Sequence, residues 1–570
     1  SERKEIEKTD TFKNWKREIN ELYNQKLSDF QDKLNDILAE REKEELINYQ
    51  IFMAIAEQIG YDATGKTIAQ NDLDEIAPEL EKFINSIIKN EKIFFLNKDK
   101  FFLINRNELE GRWDPVYIIS SKTQYKYQYH TEKLSKLVSF MTGGTPSKQK
   151  KEYWNGDIYW VSSKDVKSFY LNESENTITK EGLENSSTKL IPANSLLMVV
   201  RSGILIHTLP ISINVVPVSI NQDIKALVVK DNNLDIRYLG YFFVVFNEYV
   251  LSKIVKHSTT VQSVNTIELE KIEIPIPPIS IQTTIVNVMD KANQVYRNKL
   301  SEAATKLASI DTYLLSELGI SLPKDEVKKM FLVDYKAVIG KRLDPKSYCN
   351  KVKNLKDSIV KSPYKKQPLN DFIVNECSGD WGEDVENQDL DFEIYTKCLV
   401  LRATEFDNKY NLKLDNSRVK YRYILNSKLK KMNIQPDDLI IEKSGGSDEQ
   451  PVGRIGILTQ EILSNYSIAY SNFLHKISVD DINPLYLYYY LKTMHNIGLT
   501  DSMQSQTNGI RNLILSEYKS QIIIVPDETK QQEIADHITA IRAEAKALEI
   551  QAEEILAKAR EEVERMILGK

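Results

Sequence analysis

Three cysteines in 570 residues, Cys349, Cys377 and Cys398, form no Cys-x-x-Cys pair and have no histidine at ligand spacing. That excludes a disulfide framework and argues against structural zinc or any other metal site, so a reducing, cytoplasmic setting is expected. The histidines number only six and are scattered, which suits surface or packing roles better than a ligand set. No run of about eighteen apolar residues occurs, so no membrane-spanning helix and no membrane partner is expected. The first residues, Ser1-Glu-Arg-Lys, lack the apolar core of a secretory signal. Ser1 is not a start methionine, and the chain reads as a processed or trimmed piece of something longer. Positive charge is also short: the net charge of −6 is the wrong sign for a simple basic DNA-binding protein. Acidic helices can dominate such a sum, however, while phosphate binding needs only local positive surface.

What is present is ordinary globular composition, 41% hydrophobic and 28% charged, over a length that implies several domains. An internal duplication organises it. Phe102-Leu-Ile-Asn-Arg…Gly111-Arg112-Trp-Asp114-Pro115 recurs as Phe331-Leu-Val-Asp-Tyr…Gly340-Lys-Arg342-Leu-Asp344-Pro345. Leu196-Leu-Met-Val-Val-Arg201-Ser202-Gly203 is echoed by Leu439-Ile-Ile-Glu-Lys443-Ser444-Gly445, and Ile276-Pro277…Gln282 by Val525-Pro526…Gln531. Each copy holds short apolar runs punctuated by turn residues, such as Ile158–Val161 and Cys398–Leu401, then a proline-bounded strand, then a long helix. Ser280 and Thr529 are the expected N-caps of those helices.

In the last helix Ile534, Ile538, Ile541, Ala545, Leu548, Ala552, Ile555 and Ala559 alternate steps of four and three, a heptad seam for another helix. Ile285, Met289, Ala292 and Tyr296 begin the same pattern in the first helix, which resumes at Leu300, Ala303, Leu307, Ile310, Leu314 and Leu318. Their equivalent places in the duplication favour pairing with each other. Ahead of the duplication, residues 1 to about 50 read as a helix with Phe12, Trp15, Ile19, Leu22, Phe30, Leu34 and Ile37 on one stripe. The segment from Ile51 runs into a turn, and a second acidic helix follows from Asn71 to about residue 90.

The run Leu134-Ser-Lys-Leu-Val…Gly143-Gly144-Thr145-Pro146-Ser147-Lys148…Tyr153-Trp154-Asn155-Gly156-Asp157-Ile158-Tyr-Trp160-Val161 is very similar to the opening of a target-recognition domain in type I restriction–modification specificity subunits. The proline-then-helix elements with Gln282 and Gln531 resemble the helical region that follows each such domain. Ser378-Gly379-Asp380-Trp381-Gly382 and Leu401-Arg402-Ala-Thr404-Glu-Phe406-Asp407 resemble another variety of the same domain, and the likeness covers about residues 103 to 570. The segment from Phe52 to Phe83, with Gly60-Tyr61-Asp62 and Asn71-Asp72-Leu73, resembles the C-terminal part of the type I methyltransferase subunit.

The resemblance implies an α+β chain with two mixed α/β target-recognition domains separated by two long antiparallel coiled-coil helices and preceded by an N-terminal helical region. The expected divisions are 1–95, the helical region; 96–130, a linker and the start of the first repeat; 131–278, recognition domain one; and 279–320, the first spacer helix. Then come 321–362, a connector; 363–526, recognition domain two; and 527–570, the second spacer helix. It also implies double-stranded DNA, methyltransferase subunits and a restriction or translocase subunit as partners. The expected function is recognition of a bipartite asymmetric target that directs adenine-N6 methylation and restriction by partner catalytic subunits. S-adenosylmethionine would sit in the partner methyltransferase, with no cofactor on this chain.

Such a methyltransferase needs an [Asn/Asp/Ser]-Pro-Pro-[Tyr/Phe] tetrapeptide for the flipped base. Asn483-Pro484-Leu485-Tyr486 lacks the second proline and reads as a helix start. Gly143-Gly144-Thr-Pro-Ser-Lys148 lacks phosphate-loop spacing and reads as a turn facing DNA. In Pro526-Asp527-Glu528-Thr529-Lys530 the acids sit at a helix start, where the dipole favours them, so a nuclease signature is rejected. No enzyme is therefore expected in this chain. The candidate DNA contacts are basic, hydroxyl, aromatic or amide residues on turns: Lys148, Lys150, Lys151, Lys164, Arg201, Ser202, Trp381, Arg402, Thr404, Lys443, Ser444, Arg511 and Asn512, the last two in a Gln-Ser-Gln-Thr-Asn-Gly-Ile-Arg-Asn loop. Two competing readings stay open. One is the recognition half of a single-chain methyltransferase–specificity or methyltransferase–nuclease fusion, and the other is a coiled-coil scaffold without DNA specificity.

Overall fold

The computed structural model leaves residues 1–8, 40–48, 57–58, 62–66, 90–99, 107–108, 110–114, 116–117, 119–124, 231–232, 257–260, 323–329, 340–344, 385–390, 392, 408, 415–418, 448–449, 508–509 and 570 outside the described residues. The chain divides into two compact units, residues 1–286 with 564–570, and residues 287–563.

The first unit opens with the helix Asp10–Ala39. Its apolar stripe is uncovered, with Trp15, Ile19, Leu22 and Phe30 all exposed; the side chains of Leu34 and Ile37 lie outside the described residues. The expectation of a purely helical region up to residue 95 fails at residue 50. Gln50–Ala54 is a strand, antiparallel to Phe101–Asn105. These short apolar runs lack helical spacing and satisfy their backbone groups by pairing. The helix Leu73–Lys89 follows as expected, and Phe83 stacks on Phe52 at 5.7 Å, with Phe52 in turn 6.4 Å from Phe101.

Beyond these elements lie two sheets. One has the strand order Val138–Thr142, Ile224–Val229, Leu196–Val199, Ile211–Asn214, Tyr170–Leu171. The other runs Leu190–Ile191, Val218–Ile220, Trp154–Val161, Asn176–Ile178, with Ser219 paired to Trp160 in parallel. Leu196 to Val199 are all fully buried, as a continuous apolar run predicts for a central strand.

The second unit repeats this plan. Ile373–Ser378, Leu474–Val479, Leu439–Glu442 and Ile455–Ile457 form one sheet; Glu383–Asp384, Lys420–Leu425, Tyr395–Leu401 and Ile468–Tyr470 form the other, again with one parallel pair, Leu399 to Ile468. Asn483 caps the helix Pro484–Asn496, the helix start expected there, through bonds of 3.0 Å from the amides of Leu485 and Tyr486.

The long helices are Ile279–Glu317 and Glu528–Leu568. Neither Ser280 nor Thr529 is the N-cap: both helices start earlier, and the Asp527 carboxylate accepts from the Lys530 amide at 3.0 Å. In the second helix a carboxylate two residues ahead outcompetes a hydroxyl already inside the helix. Within the second unit the helices run side by side in opposite directions. Tyr296 meets Glu553 (3.1 Å), Lys299 meets Gln551 (2.8 Å), Lys306 meets Glu544 (2.8 Å) and Glu317 meets Lys530 (2.6 Å). Ala303, Ile310 and Leu314 of the expected seam are buried, as are Ile534, Ile538, Ala545 and Ala552.

Candidate nucleic-acid interface

The duplication is built into the backbone. In the first unit Asn221 N donates to Val161 O (3.0 Å), Val200 N to Asp223 O (2.8 Å), Val264 N to Val200 O (2.9 Å) and Gly144 N to Ile220 O (3.0 Å). In the second, Ser471 N donates to Leu401 O (2.8 Å), Lys443 N to Phe473 O (2.9 Å), Leu513 N to Lys443 O (2.8 Å) and Asp380 N to Tyr470 O (2.9 Å). A turn after the strand completes the match: the Ser162 amide bonds Asp165 at 2.8 Å, and the Arg402 amide bonds Glu405 at 2.6 Å.

This correspondence corrects the register read from the sequence by one residue. Lys443 stands at the place of Val200, and Ser444, not Lys443, at the place of Arg201. The Arg-Ser-Gly and Lys-Ser-Gly strings resemble each other, but main-chain hydrogen bonds define the position.

In the second unit Trp381, Arg402, Thr404 and Ser444, all expected contacts, line one cleft of about 450 Å³. Ala403, Asn472 and Phe473 line it too. Trp381 is 36% and Phe473 49% exposed at its rim. The Arg422 guanidinium lies 4.9 Å from the centre of the Trp381 ring and donates to Gly382 O at 3.1 Å, which fixes the indole. Beside it Asp380 accepts from Lys428 at 2.7 Å. Burial works against that carboxylate's charge, yet Lys428 and the Gly382 amide hold it below the usual range. Arg402 is not a free cation: its guanidinium donates to the buried Glu405 at 2.6 Å. Thr404 also donates to Glu405, at 2.7 Å.

Lys443 donates to Ser378 Oγ at 2.9 Å, and partial burial lowers its pKa. Ser444 Oγ donates to Asn512 Oδ1 at 2.5 Å. Arg511 and Asn512 are not in a loop: they lie on Ile510–Leu513, the second strand of a hairpin with Gln504–Thr507. Asn508 and Gly509, between the strands, form a favoured hairpin dipeptide but lie outside the described residues. Arg511 is only 5% exposed, which removes it from any open loop surface.

At the corresponding places in the first unit stand Thr145, Ser162, Lys164, Arg201 and Gln222. Lys164 and Arg201 are exposed, and Ser202 accepts from the Ile204 amide at 3.4 Å. Thr145 donates to Gln222 at 2.7 Å. Gly143 lies so close to Ile220 O that an added Cβ would sit 1.9 Å away, and an added Cβ at Gly379 would sit 2.1 Å from Tyr470 O. Both glycines are therefore required by close backbone approach. Lys148 and Lys151 are exposed on the segment that follows, while Lys150 donates to the Tyr153 hydroxyl at 2.8 Å and lies over its ring. The sequence reading missed Gln222, Asn472 and Phe473. Their signal was the polar turn after Val218-Ser-Ile220 and Ile468-Ala-Tyr470, present in both copies.

A family model described as the type I restriction modification DNA specificity domain matches residues 127–303 and again 384–556. The chain belongs to that family. It is 36% identical over 198 residues to the type I restriction enzyme EcoR124I/EcoR124II specificity subunit of Escherichia coli, covering 34% of this chain and 48% of that protein. It is 26% identical over 193 residues to the MjaIX specificity subunit of Methanocaldococcus jannaschii, covering 33% and 43%. The matches thus span about half the length of these relatives. A type I S subunit structure from M. genitalium matches with a TM-score of 0.37 at 13% identity, over 81% of this chain and 98% of that one. At that score the likeness adds nothing to the assignment. Among the described residues no helix is long and apolar enough to cross a membrane, and no cluster of three or more His, Cys, Asp or Glu is arranged to hold a metal.

Proposed function

We propose that this chain recognises a bipartite, asymmetric DNA target, one half with each copy of the duplicated domain, and directs adenine-N6 methylation and restriction by partner catalytic subunits. The observation that carries the reading is one main-chain scaffold built twice on matched hydrogen bonds, with different side chains at its corresponding places. One scaffold with two linings suits two unlike half-sites. Thr145, Ser162, Lys164, Arg201 and Gln222 offer donors and acceptors to base edges and phosphates. Trp381, Ala403, Thr404 and Phe473 offer apolar groups, which suit the thymine methyl.

The recognition domains would span residues 131–278 and 363–526, with the helices from 279 and 527 as a coiled-coil spacer. Lys148, Lys151 and Lys443 would meet phosphate. Methyltransferase subunits would hold S-adenosylmethionine, and a restriction subunit would join them. The partner surface would also offset this chain's negative charge.

The strand pairing of Gln50–Ala54 with Phe101–Asn105 favours a second, more specific version of this reading. A methyltransferase-like tail folded onto the start of the first repeat suits the C-terminal recognition half of a fused methyltransferase–specificity polypeptide. Methylome sequencing of cells with and without the gene tests the proposal. The expected result is a bipartite adenine-methylation motif that vanishes on deletion; a motif that persists overturns it.

A further inference from the structure

Residues 331–334 repeat a motif whose first copy is a paired strand. After Phe102-Leu-Ile-Asn105 the Leu109 amide bonds Arg106 O, and after Phe331-Leu-Val-Asp334 the Ile339 amide bonds Tyr335 O. In the first copy Phe101 and Ile104 are 4% and 3% exposed, because Gln50–Ala54 lies alongside and Met53 and Phe52 pack on them. In the second copy Met330 and Val333 hold those places and are 88% and 38% exposed, while Leu332 is wholly exposed. Among the described residues no strand pairs with 331–334. Tyr335 and Ile339 extend the uncovered patch. A segment with no ladder partner among the described residues and with bare apolar side chains is a template for strand addition.

We infer that residues 331–334 receive a strand of the Gln50–Ala54 type in trans, from a separate methyltransferase polypeptide ending in a tail like residues 50–89. The inference rests on the proposed function, which identifies that tail as methyltransferase-like. A second copy of this chain does not fit the site, because its own Gln50–Ala54 is already paired with its own Phe101–Asn105. The first copy supplies the register: Ile51 faces Ile104, Phe52 faces Leu103 and Met53 faces Phe102. In the second copy Ile51, Phe52 and Met53 of the incoming tail therefore face Val333, Leu332 and Phe331. A helix like Leu73–Lys89 would then back the incoming strand, as Phe83 stacks on Phe52 and Phe52 on Phe101.

The test uses the full chain with a photoreactive benzoylphenylalanine at position 332, and a synthetic peptide of residues 49–90 as the probe. One peptide should bind per chain and cross-link through its residues 51–53. Binding should weaken about tenfold or more in the full chain carrying Met330→Asp and Val333→Asp. Circular dichroism checks that these exposed substitutions leave the fold intact. Absence of binding, or equal binding by the substituted chain, overturns the docking inference, and target-specific methylation by the unsubstituted chain with its methyltransferase then keeps the recognition reading. If that methylation is itself absent, both fall.

Discussion

The carboxamide of Gln531 accepts the amide of Asn483 at 2.9 Å and donates to Pro526 O at 2.9 Å, so one buried side chain ties the start of a long helix to the cap of another. Gln282 does the same in the first unit, accepting from Asp235 N and donating to Pro277 O, both at 2.8 Å. It adds a third bond, to Asn233 O at 2.8 Å. Tyr238 and Tyr486 brace the same joint, each hydroxyl donating at 2.7 Å to a carbonyl of the strand before the prolines, Pro275 and Ile524.

Replacing either glutamine by methionine keeps the volume but strands a buried amide and one or two carbonyls. Each change should cost about 1–3 kcal/mol, with Gln282→Met the worse because it loses three bonds rather than two. Hydrogen exchange of the full chain is the measurement. Faster exchange confined to Ile236–Val245 for Gln282→Met, and to Pro484–Asn496 for Gln531→Met, is expected. Unchanged protection in either helix would refute the joint.

These glutamines also show what was legible in the sequence. A polar residue at a fixed distance after a proline repeated in both copies, and that repetition exposed the duplication and both long helices. What stayed hidden was set by contacts distant in sequence. Arg511 reads as a loop cation, but pairing of its strand with Gln504–Thr507 buries it. Gln50–Ala54 is too short to show a strand period, and its partner lies some fifty residues on. The one-residue slip between Arg201 and Lys443 could be corrected only by the carbonyls of Val200 and Lys443, since local strings carry no register.

Arg201→Ala and Phe473→Ala should each blur one half of the methylation motif and leave the other intact. Arg201 is exposed in one copy and Phe473 in the other, and the loss of a base contact costs about 1–3 kcal/mol, roughly 5- to 150-fold. Deoxyuridine in place of thymidine should weaken binding several-fold only in the half-site read by residues 363–526, because only that cleft is rimmed by Trp381 and Phe473. Methylome sequencing and binding titrations read both effects. Simultaneous blurring of both halves by either variant would count against separate recognition sites.

Burial, then the neighbouring Lys492 and Arg454 cations, depress the imidazole of His495 to about 3. Its unfolded value is about 6.5, so the native state resists a proton that the unfolded chain accepts. The stabilisation is complete above about pH 6.5 and is lost as pH falls towards about 3, at about 1.4 kcal/mol per pH unit. Between pH 7.5 and 5.0 the parent chain should therefore lose about 2 kcal/mol more than His495→Gln in urea unfolding of the second unit. Equal losses would show that the imidazole is already protonated or open to solvent.

The cross-links Lys299–Gln551 and Lys306–Glu544 bracket seven residues on each helix, one heptad of the pair. Duplicating residues 300–306 and 545–551 together would preserve the seam, including the buried Ala303, Ala545 and their partners, and add about 10.5 Å to both helices. If the helices set the spacing of the half-sites, the unread spacer in the methylation motif should grow by about three base pairs, at about 3.4 Å each, while both half-sites stay the same. Duplicating only one of the two segments leaves seven residues without a facing partner and should reduce stability and methylation instead. A chain lengthened in both helices that still methylates the original spacing would exclude the helices as the ruler.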